Sequence, residues 1–307
     1  MSKVLVTGGA GFIGSNTVDL LLEKGYSVVV VDDLSTGRSA NLNRKAVFHK
    51  ADIRSPELDS LFKREKPEYV IHLAAQIDVR KSVADPAYDA GINVLGSINL
   101  LECCRRNGVK KIVYASSGGA VYGEPQYNPV DEKHRIKPIC PYGASKYAAE
   151  KYVEVYAASY GIEYCILRYG NVYGPRQDPL GEAGVVAVFT GLLKHGKRPV
   201  IFGDGGQTRD FCYVGDVALA NLLGLERAGV SRVYNIGSGV ETSVNEVTAK
   251  LIEAVGADVE PLHSDPVPGE VRRICLDARL AGMELAWKPT VNLKSGLKKT
   301  VEWVGNA

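Results

Sequence analysis

Short runs of β-branched and aromatic residues alternate with amphipathic stretches through about the first 170 residues of the chain. These runs predict strands at residues 3–7, 27–32, 46–50, 69–73, 111–115 and 163–169. Repetition of strand, helix and strand is typical of a parallel sheet with helices on both faces. The pattern therefore predicts the α/β class, with a doubly wound, Rossmann-like parallel sheet.

Two of the intervening stretches have apolar positions at helical spacing. They cover residues 14–25 and 93–108 and end on Gly25 and Gly108. Glycine is common just beyond a helix because it adopts the left-handed conformation that ends many helices. Both stretches are therefore predicted to be helices that pack on the sheet.

The alternation weakens after about residue 172, where Pro and Gly cluster in the segments YGPRQDPLGEAG, FGDGGQTRD and SDPVPGEVRR. Residues 1–172 are predicted to form a Rossmann domain, and residues 173–307 a smaller C-terminal α/β lobe over the strand ends. A segment near residues 208–240 is expected to return to the first domain.

Composition limits the possible partners. The formal net charge of +2 gives no electrostatic reason to expect nucleic acid or an anionic membrane as a partner. The six cysteines have no C-x-x-C spacing and the five histidines no metal-ligand spacing, so reduced thiols and no metal site are expected. A strand begins almost at the first residue, and no apolar run approaches about 18 residues, so a cytoplasmic protein without a leader or membrane span is expected.

The segment VLVTGGAGFIG puts Gly8, Gly11 and Gly14 between the first predicted strand and the first helix. In a dinucleotide-binding loop the first glycine permits a sharp turn and the second lets a pyrophosphate approach the backbone. The third lets the helix pack closely on the strand. Free N–H groups and the dipole at the helix N-terminus then favour the phosphates. The loop predicts a dinucleotide site.

The second predicted strand ends on an acid, Asp32, which can accept hydrogen bonds from both ribose hydroxyls of an adenosine. Asp32 and Asp33 would repel a 2′-phosphate, so NAD is favoured over NADP, although Arg38 nearby leaves NADP open. Asp52 after the third strand is a candidate adenine contact. The small residues of HLAA at 72–75 suit the passage of a cofactor, although a structural role is favoured both for this segment and for Asp52 when each is taken alone.

Tyr142 and Lys146 stand four residues apart in PYGASK, on a helix that Pro141 is expected to start. This spacing puts both side chains on one helix face. A phenol has a pKa near 10 and becomes a useful base at neutral pH only beside a cation. Lys146 supplies one positive charge, and an oxidised nicotinamide ring would supply another. Such a tyrosine can take a proton from a sugar hydroxyl while hydride leaves the same carbon.

With these motifs in place, the chain resembles the extended short-chain dehydrogenase/reductase superfamily and, within it, the UDP-glucose (UDP-galactose) 4-epimerase family. The resemblance runs nearly end to end. It includes GGAGFIG, DDLSTG, HLAAQ, INVLGSINLLE, SSGGAVYG, PYGASK, RYGNVYGPRQDP, RDFCYVGDV, NIGSG, PGEVRR and LAWKP.

The resemblance implies tightly bound NAD, a UDP-sugar substrate, and Tyr142 as the base that acts on the 4-hydroxyl, with Lys146 also holding the nicotinamide ribose. The residues expected at the cofactor are Gly8, Gly11, Phe12, Ile13, Gly14, Asp32, Asp33, Leu34, Ser35, Thr36, Gly37, Asp52, Ile53, Leu73, Ala74, Ala75, Gln76, Asn93, Tyr142, Lys146, Tyr169 and Val172. Those expected at the substrate are Ser117, Gly118, Tyr142, Asn171, Val185, Val186, Phe202, Arg209, Arg272 and Ile274. The family's dimer helices, at about 87–107 and 142–160 here, imply a homodimer.

The segment SSGGAVYG departs from the family pattern, which has a third hydroxyl where this chain has Gly118. Either the loop presents Ser117 instead or the tyrosine acts with less help, and Ser117 is the preferred catalytic candidate. Related 4,6-dehydratases carry Asp-Glu at the positions of Gly119 and Ala120, and UDP-glucuronate decarboxylases usually carry Glu at the second. Because neither Gly119 nor Ala120 can move a proton, the loop favours 4-epimerisation.

Two further departures leave the sugar open. Val267 and Pro268 stand where the family often has an arginine, so Arg272 becomes the candidate for a second phosphate cation. Ile274 occupies the position that gates N-acetylated sugars and is intermediate in size between the residues that admit and exclude them. A related epimerase or reductase for UDP-N-acetylhexosamine or UDP-uronate, and a non-catalytic NAD-sensing module, are the alternatives.

Overall fold

A computed structural model describes residues 2–179, 184–266 and 271–306. The motif segments YGPRQDPLGEAG and SDPVPGEVRR are therefore described only in part. Val267 and Pro268, which the sequence singled out, lie outside the described residues.

The described residues contain twelve strands in three sheets. They are β1 Lys3–Thr7, β2 Ser27–Asp32, β3 Val47–Lys50, β4 Tyr69–His72, β5 Lys111–Ser117, β6 Glu163–Tyr169, β7 Asn171–Tyr173, β8 Val200–Phe202, β9 Thr208–Tyr213, β10 Arg232–Ile236, β11 Glu241–Ser243 and β12 Leu262–Ser264. Seven of them form the central sheet in the order β10-β6-β5-β4-β1-β2-β3, and every pairing in it is parallel.

The helices are α1 Phe12–Glu23, α2 Glu57–Glu65, α3 Val79–Ala84, α4 Pro86–Ala90, α5 Ser97–Arg106, α6 Gly118–Val121, α7 Pro141–Tyr160, α8 Val185–Lys194, α9 Val214–Glu226, α10 Val244–Val255, α11 Arg279–Leu285 and α12 Leu293–Asn306. A 3₁₀ turn at Ser39–Asn41 and a π-helical turn at Gly91–Gly96 complete the set. Within the described ranges, no helix is both long enough and apolar enough to cross a membrane.

Both faces of the central sheet are buried, because successive strand residues point to opposite sides. Val4 and Val6 of β1 face a core that includes Val18 and Leu21 of α1. Leu5, between them, faces a second core closed by helices α2, α5 and α7. This arrangement confirms the predicted doubly wound parallel sheet.

A smaller lobe lies beyond β6. Strands β7, β9 and β11 form a three-stranded sheet, and β8 pairs with β12. Helices α8, α10 and α12 contribute to a third core that contains Phe189, Leu251 and Leu297. The chain returns to the central sheet at β10, which pairs with β6. The domain boundary at residue 172 stays a prediction.

Several predicted element ends were wrong. Strand β3 begins one residue later than predicted and β4 ends one residue earlier, whereas β5 continues to Ser117, since Ser116 and Ser117 pair with β6. The helix predicted from residue 93 is π-helical as far as Gly96 and becomes α-helical only at Ser97. Such turns often occur at functional sites, and this one contains Asn93.

Candidate active site

The glycine loop leads from β1 to α1 beside the end of β4. Gly8 adopts φ +70°, and a Cβ there would lie 2.7 Å from the amide nitrogen of Ala74. A Cβ on Gly14 would lie 2.0 Å from the Gly8 carbonyl oxygen. The first glycine is therefore required by the turn and the third by close packing of helix on loop, as the sequence predicted.

The second glycine is different, because the protein itself restricts its size less than that of the other two. A Cβ on Gly11 would approach only the Gly8 carbonyl oxygen, at 3.2 Å. Gly11 is the N-cap of α1 and makes no side-chain cap hydrogen bond. The first-turn amides, including those of Phe12 and Ile13, have no carbonyl partner within the helix. This open, amide-rich helix start fits a pyrophosphate.

Asp32 stands at the end of β2, and its side chain is buried. One carboxylate oxygen accepts from the Ala10 amide at 3.0 Å and the other from the Leu34 amide at 2.8 Å. Burial raises the pKa of this carboxyl, while the two amides oppose that rise. The amides fix the carboxylate, and its remaining lone pairs suit two ribose hydroxyls.

The turn after β2 is tightly organised around the two acids. Leu34 adopts φ +62°, and Asp33 accepts hydrogen bonds from both the amide and the hydroxyl of Ser35. A Cβ on Gly37 would lie 2.7 Å from a carboxylate oxygen of Asp32. Thr36, between Ser35 and Gly37, is exposed.

Arg38 does not face the acid pair, because its guanidinium forms a 2.6 Å ion pair with Asp178. A 2′-phosphate beside Asp32 and Asp33 would thus meet two carboxylates and an arginine already engaged elsewhere. This geometry favours NAD.

Asp52 and Ile53 follow β3. Arg54 forms a bidentate ion pair with Asp52 and holds the pKa of that carboxyl below its usual range. Ile53 is buried, and its Cδ1 would lie 2.7 Å from a Cβ on Gly96. The adenine contact predicted for Asp52 therefore has to come from a side chain already paired with arginine.

The HLAAQ segment is held by polar side chains. The Thr7 hydroxyl accepts from the Leu73 and Ala74 amides, both at 3.2 Å, and lies 2.7 Å from Nδ1 of His72. Burial lowers the pKa of His72 to about 3, so this imidazole is neutral. Ala75 lies in the same segment and is half-buried.

Asn93 joins this segment to the catalytic helix. Its side-chain amide donates to the Gln76 carbonyl at 2.9 Å and to the Ser145 hydroxyl at 3.1 Å, and its oxygen accepts from the Gln76 amide at 2.9 Å. Asp89 accepts from both Asn93 and Gln76 and is itself buried. Asn93 therefore holds the HLAAQ segment against helix α7.

Tyr142 and Lys146 lie in the first turns of α7, which begins at Pro141 as predicted. The Lys146 ammonium lies 4.5 Å from the ring centre of Tyr114. In the described parts of the chain it has no hydrogen-bond acceptor. Its N–H groups are therefore available to a ligand such as a ribose.

Burial opposes the charged form of both catalytic candidates. It raises the pKa of Tyr142 to about 12, a rise that hydrogen bonding with Ser117 reduces and that Cys140 and Asp89 increase. It lowers the pKa of Lys146 to about 7, against the attraction of Glu150 and Asp89. The protein alone therefore leaves the phenol protonated at neutral pH, and a further positive charge would be needed to ionise it.

Ser117 ends β5, and hydrogen bonding with Ser117 partly offsets the rise in the pKa of Tyr142. A Cβ on Gly119 would lie 3.9 Å from the Ser117 hydroxyl and 3.7 Å from the side-chain oxygen of Asn171. Ser117, Asn171 and Tyr142 are thus brought together. A side chain at Gly118, in contrast, would collide with Leu276.

The remaining substrate candidates lie in the smaller lobe and its junction with the sheet. Arg209 is half-buried on β9 and donates to the Thr208 carbonyl. Both terminal nitrogens of Arg272 donate to the carboxylate of Asp204 at 2.8 Å, and this exposed pair would have to exchange partners for Arg272 to bind phosphate.

Apolar substrate candidates are of two kinds. Phe202 is 43% exposed at the end of β8, as a ring available for stacking would be. Val186 is buried in the third core and Ile274 in a cluster behind α6, whereas Val185 is half-buried. Because the side chains of Val186 and Ile274 are buried, they can affect a bound ligand only through their backbone atoms or through the residues that surround them.

Tyr169 and Val172 lie on consecutive strands under the cofactor side. The Tyr169 ring is buried in the first core, and its hydroxyl donates to Asn221 at 2.7 Å. Val172 packs against the same core. Within the described ranges, no cluster of three or more His, Cys, Asp or Glu side chains is placed to hold a metal ion.

Sequence reasoning missed a buried ion pair next to the site. Arg168 of β6 donates to both carboxylate oxygens of Glu150 at 2.9 and 2.6 Å. Glu150 also accepts from Ser116 at 2.5 Å, and Arg168 donates to the Tyr122 hydroxyl at 2.9 Å. Glu150 stands four residues after Lys146, the same helix-face spacing that identified the Tyr–Lys pair, and that spacing could have revealed it.

Comparison with known proteins agrees with this geometry. A family model described as the NAD dependent epimerase/dehydratase family matches residues 4–237. A UDP-glucose 4-epimerase from Mycolicibacterium smegmatis is 47% identical over 309 residues, which cover 99% of each chain. A crystal structure of a UDP-glucose 4-epimerase with UDP-glucose from Thermotoga maritima has a TM-score of 0.97 at 50% identity, over 99% of each chain. A Thermus thermophilus UDP-glucose 4-epimerase in complex with NAD has a TM-score of 0.93 at 44% identity, also over 99% of each chain.

The two glycines at the ends of the loop motif should respond differently from the middle one. Gly14→Ala should lower the free energy of unfolding by about 3 kcal/mol or more, because its methyl group would overlap a backbone oxygen. Gly11→Ala should cost less than about 1 kcal/mol yet weaken NAD binding at least tenfold. Urea unfolding and NAD titration of both variants check this, and equal stability losses would contradict it.

Lys146→Met should make the nucleotide-free protein more stable at pH 7, by a few kcal/mol. The folded-state pKa of Lys146 lies below its unfolded value, so between about pH 7 and 10 the unfolded chain binds the extra proton. Wild-type stability should therefore gain on the variant as the pH rises through this window. Urea unfolding of both proteins at pH 7 and pH 9 checks the difference, and a constant gap would contradict the burial argument.

Proposed function

Because the chain belongs to the NAD dependent epimerase/dehydratase family, we propose that it interconverts UDP-glucose and UDP-galactose by 4-epimerisation with bound NAD. The observation that carries the proposal is the meeting of Tyr142, Ser117 and Lys146 at the end of β5, beside a loop without acids. Gly119 and Ala120 contribute no proton-transfer group. The loop thus suits a reaction that moves one proton and one hydride.

The residues present fit NAD. The open N-terminus of α1 at Gly11 would hold the pyrophosphate, Asp32 the adenosine ribose and the Lys146 ammonium the nicotinamide ribose. Bound NAD supplies the acceptor, and later the donor, of the hydride at C4 of the sugar. Arg38 is paired with Asp178, which argues against its use as a partner of a 2′-phosphate.

Tyr142 performs the proton transfer. Its phenolate oxygen takes the proton of the 4-hydroxyl as the C4–H electron pair leaves, which gives a 4-keto sugar, and returns that proton when hydride comes back to the other face. Ser117 donates a hydrogen bond that lowers the pKa of the phenol.

Substrate contacts follow from the charged and aromatic candidates. Arg209 is the proposed cation for the diphosphate, with Arg272 as a second once it releases Asp204. The ring of Phe202 is the proposed stacking surface for uracil, and Asn171 contacts the nucleotide sugar. The intact Tyr142–Lys146 pair argues against a non-catalytic NAD-sensing module.

We propose that the enzyme is a homodimer through α5, α7 and the π-helical turn. The supporting observation is a set of exposed apolar side chains on α7 and the π-helical turn, namely Leu95, Tyr152, Val155 and Tyr160, which are 63, 40, 55 and 53% exposed. Large apolar groups clustered on adjacent helices are typical of an interface.

The proposed cytoplasmic location is supported by six cysteines that are all free thiols.

Tyr142→Phe tests the proposed base. Epimerisation of UDP-glucose should fall by about two to four orders of magnitude, because general base catalysis contributes a factor of about 10²–10⁴. NAD should remain bound, and transient reduced-nicotinamide absorbance after addition of UDP-glucose should disappear. Near-normal turnover would remove Tyr142 from the mechanism.

Val155→Glu tests the dimer. A charge buried in an apolar interface should raise the dissociation constant at least tenfold, measured by sedimentation equilibrium. Met283→Glu on α11, where Met283 is 75% exposed, is the matched control and should leave the constant unchanged. A wild-type protein that sediments as a monomer at every concentration would overturn the assembly.

A further inference from the structure

The space beside Gly118 is filled by a side chain from a distant part of the chain. A Cβ on Gly118 would lie 2.6 Å from Cδ1 and 2.9 Å from Cδ2 of Leu276. Both distances are shorter than carbon atoms tolerate without movement of one partner. Any residue other than glycine at position 118 must therefore displace either Leu276 or the loop.

Leu276 has little freedom to move. Its amide donates to a carboxylate oxygen of Asp210 at 3.1 Å, and its backbone forms a bridge with Val130. Its side chain is 0% exposed and packs with Val121 and Tyr122.

Asp210 is itself fixed, which makes the position of Leu276 rigid. Its other oxygen accepts from the Ser238 amide and hydroxyl, both at 2.6 Å. A Cβ on Gly237 would lie 2.4 Å from Asp210 and 3.0 Å from the Cβ of Leu276, so the backbone packs tightly on this side as well. A larger residue at position 118 would therefore press against a side chain whose backbone is held in place.

The neighbouring glycine lacks this restriction. A Cβ on Gly119 would meet only Asn171 and Ser117, at ordinary contact distances of 3.7 and 3.9 Å. The space available for a side chain therefore differs between the two glycines of the segment. Gly119 borders the open side of the site, whereas Gly118 faces a fixed apolar wall.

Ser117 immediately precedes this contact. Ser116, before it, is fixed by its 2.5 Å hydrogen bond to Glu150. The turn from β5 into α6 is therefore fixed at Ser116 by a buried acid and at Gly118 by a leucine, and Ser117 lies between these two fixed points, at the end of β5.

We propose that Leu276 is a positioning residue for catalysis, which seats Gly118 and so holds the Ser117 hydroxyl at the phenol of Tyr142. The inference rests on the proposed function, since Ser117 matters only if Tyr142 is the base. It also explains the missing third hydroxyl, because Leu276 occupies the volume that a serine side chain at position 118 would need. Positions 118 and 276 are coupled in size.

The test is a set of variants assayed for UDP-glucose epimerisation. Gly118→Ser should lower kcat about 10- to 100-fold, since small displacements of a catalytic group have effects of this size. KM for UDP-glucose should change less than about threefold, because the substitution leaves the proposed binding residues Arg209 and Phe202 unchanged. Leu276→Ala combined with Gly118→Ser should restore kcat at least tenfold over Gly118→Ser alone.

Ser117→Ala separates positioning from general loss of stability. Alone it should lower kcat about tenfold, but added to Gly118→Ser it should lower kcat less than about twofold further, since the hydroxyl has already moved away. Gly118→Ala with Leu276→Val is the milder pair if the larger changes prevent folding. Gly119→Ala is the control for an added methyl group and should leave the unfolding temperature unchanged, whereas Gly118→Ala should lower it.

Full activity of Gly118→Ser, or independent effects of Gly118→Ser and Leu276→Ala, would overturn the proposal. Wild-type turnover of UDP-glucose is measured first, because its absence would contradict the proposed function instead. Crystal structures of Gly118→Ser and of the double variant give a readout independent of turnover. Ser117 should be displaced from Tyr142 in the first and return in the second, and an unmoved Ser117 in Gly118→Ser would also contradict the proposal.

Discussion

A partly buried phenol and a buried ammonium lie one helical turn apart in this protein, and desolvation shifts each of them away from its charged form. The pKa of Tyr142 rises to about 12 and that of Lys146 falls to about 7. The protein therefore creates a strong but latent base, whose ionisation needs positive charge from outside the chain. Oxidised nicotinamide carries that charge and its reduced form does not. This dependence would link proton removal to the presence of a hydride acceptor.

The surrounding structure keeps this costly arrangement in place. A bidentate Glu150–Arg168 pair joins the catalytic helix to β6, and Ser116 joins the same carboxylate to the end of β5. Breaking a buried pair of this kind is strongly destabilising because it leaves an uncompensated charge. On the other side, Asn93 and Asp89 connect the cofactor segment to α7. The elements that carry the proposed catalytic groups are held mainly by buried polar contacts, and Leu276 packs against Gly118.

The sequence predicted the repeating architecture and the local motifs well, because both depend on neighbouring residues. Alternating apolar runs define the strands, and glycine spacing defines the loop at Gly8, Gly11 and Gly14. The pair Tyr142 and Lys146 is identified by its four-residue spacing, which puts both side chains on one helix face. What the sequence could not indicate were contacts between distant segments. The exclusion at Gly118 depends on a residue 158 positions later in the chain (118 to 276), and the engagement of Arg38 by Asp178 depends on how the lobe lies over the sheet. The sequence predicted two positive charges for the phenol, one from Lys146 and one from the oxidised nicotinamide, but it could not indicate that burial lowers the pKa of Lys146 to about 7.

The most direct test of the latent base is the pKa of Tyr142 itself, followed by tyrosinate absorbance with the Tyr142→Phe protein as the blank. Without nucleotide the pKa should lie near 12. With NAD in its oxidised form it should fall by about two units or more, as expected for a positive charge within a few ångströms, and with the reduced form it should stay close to the nucleotide-free value. The same pKa in all three states would contradict the account.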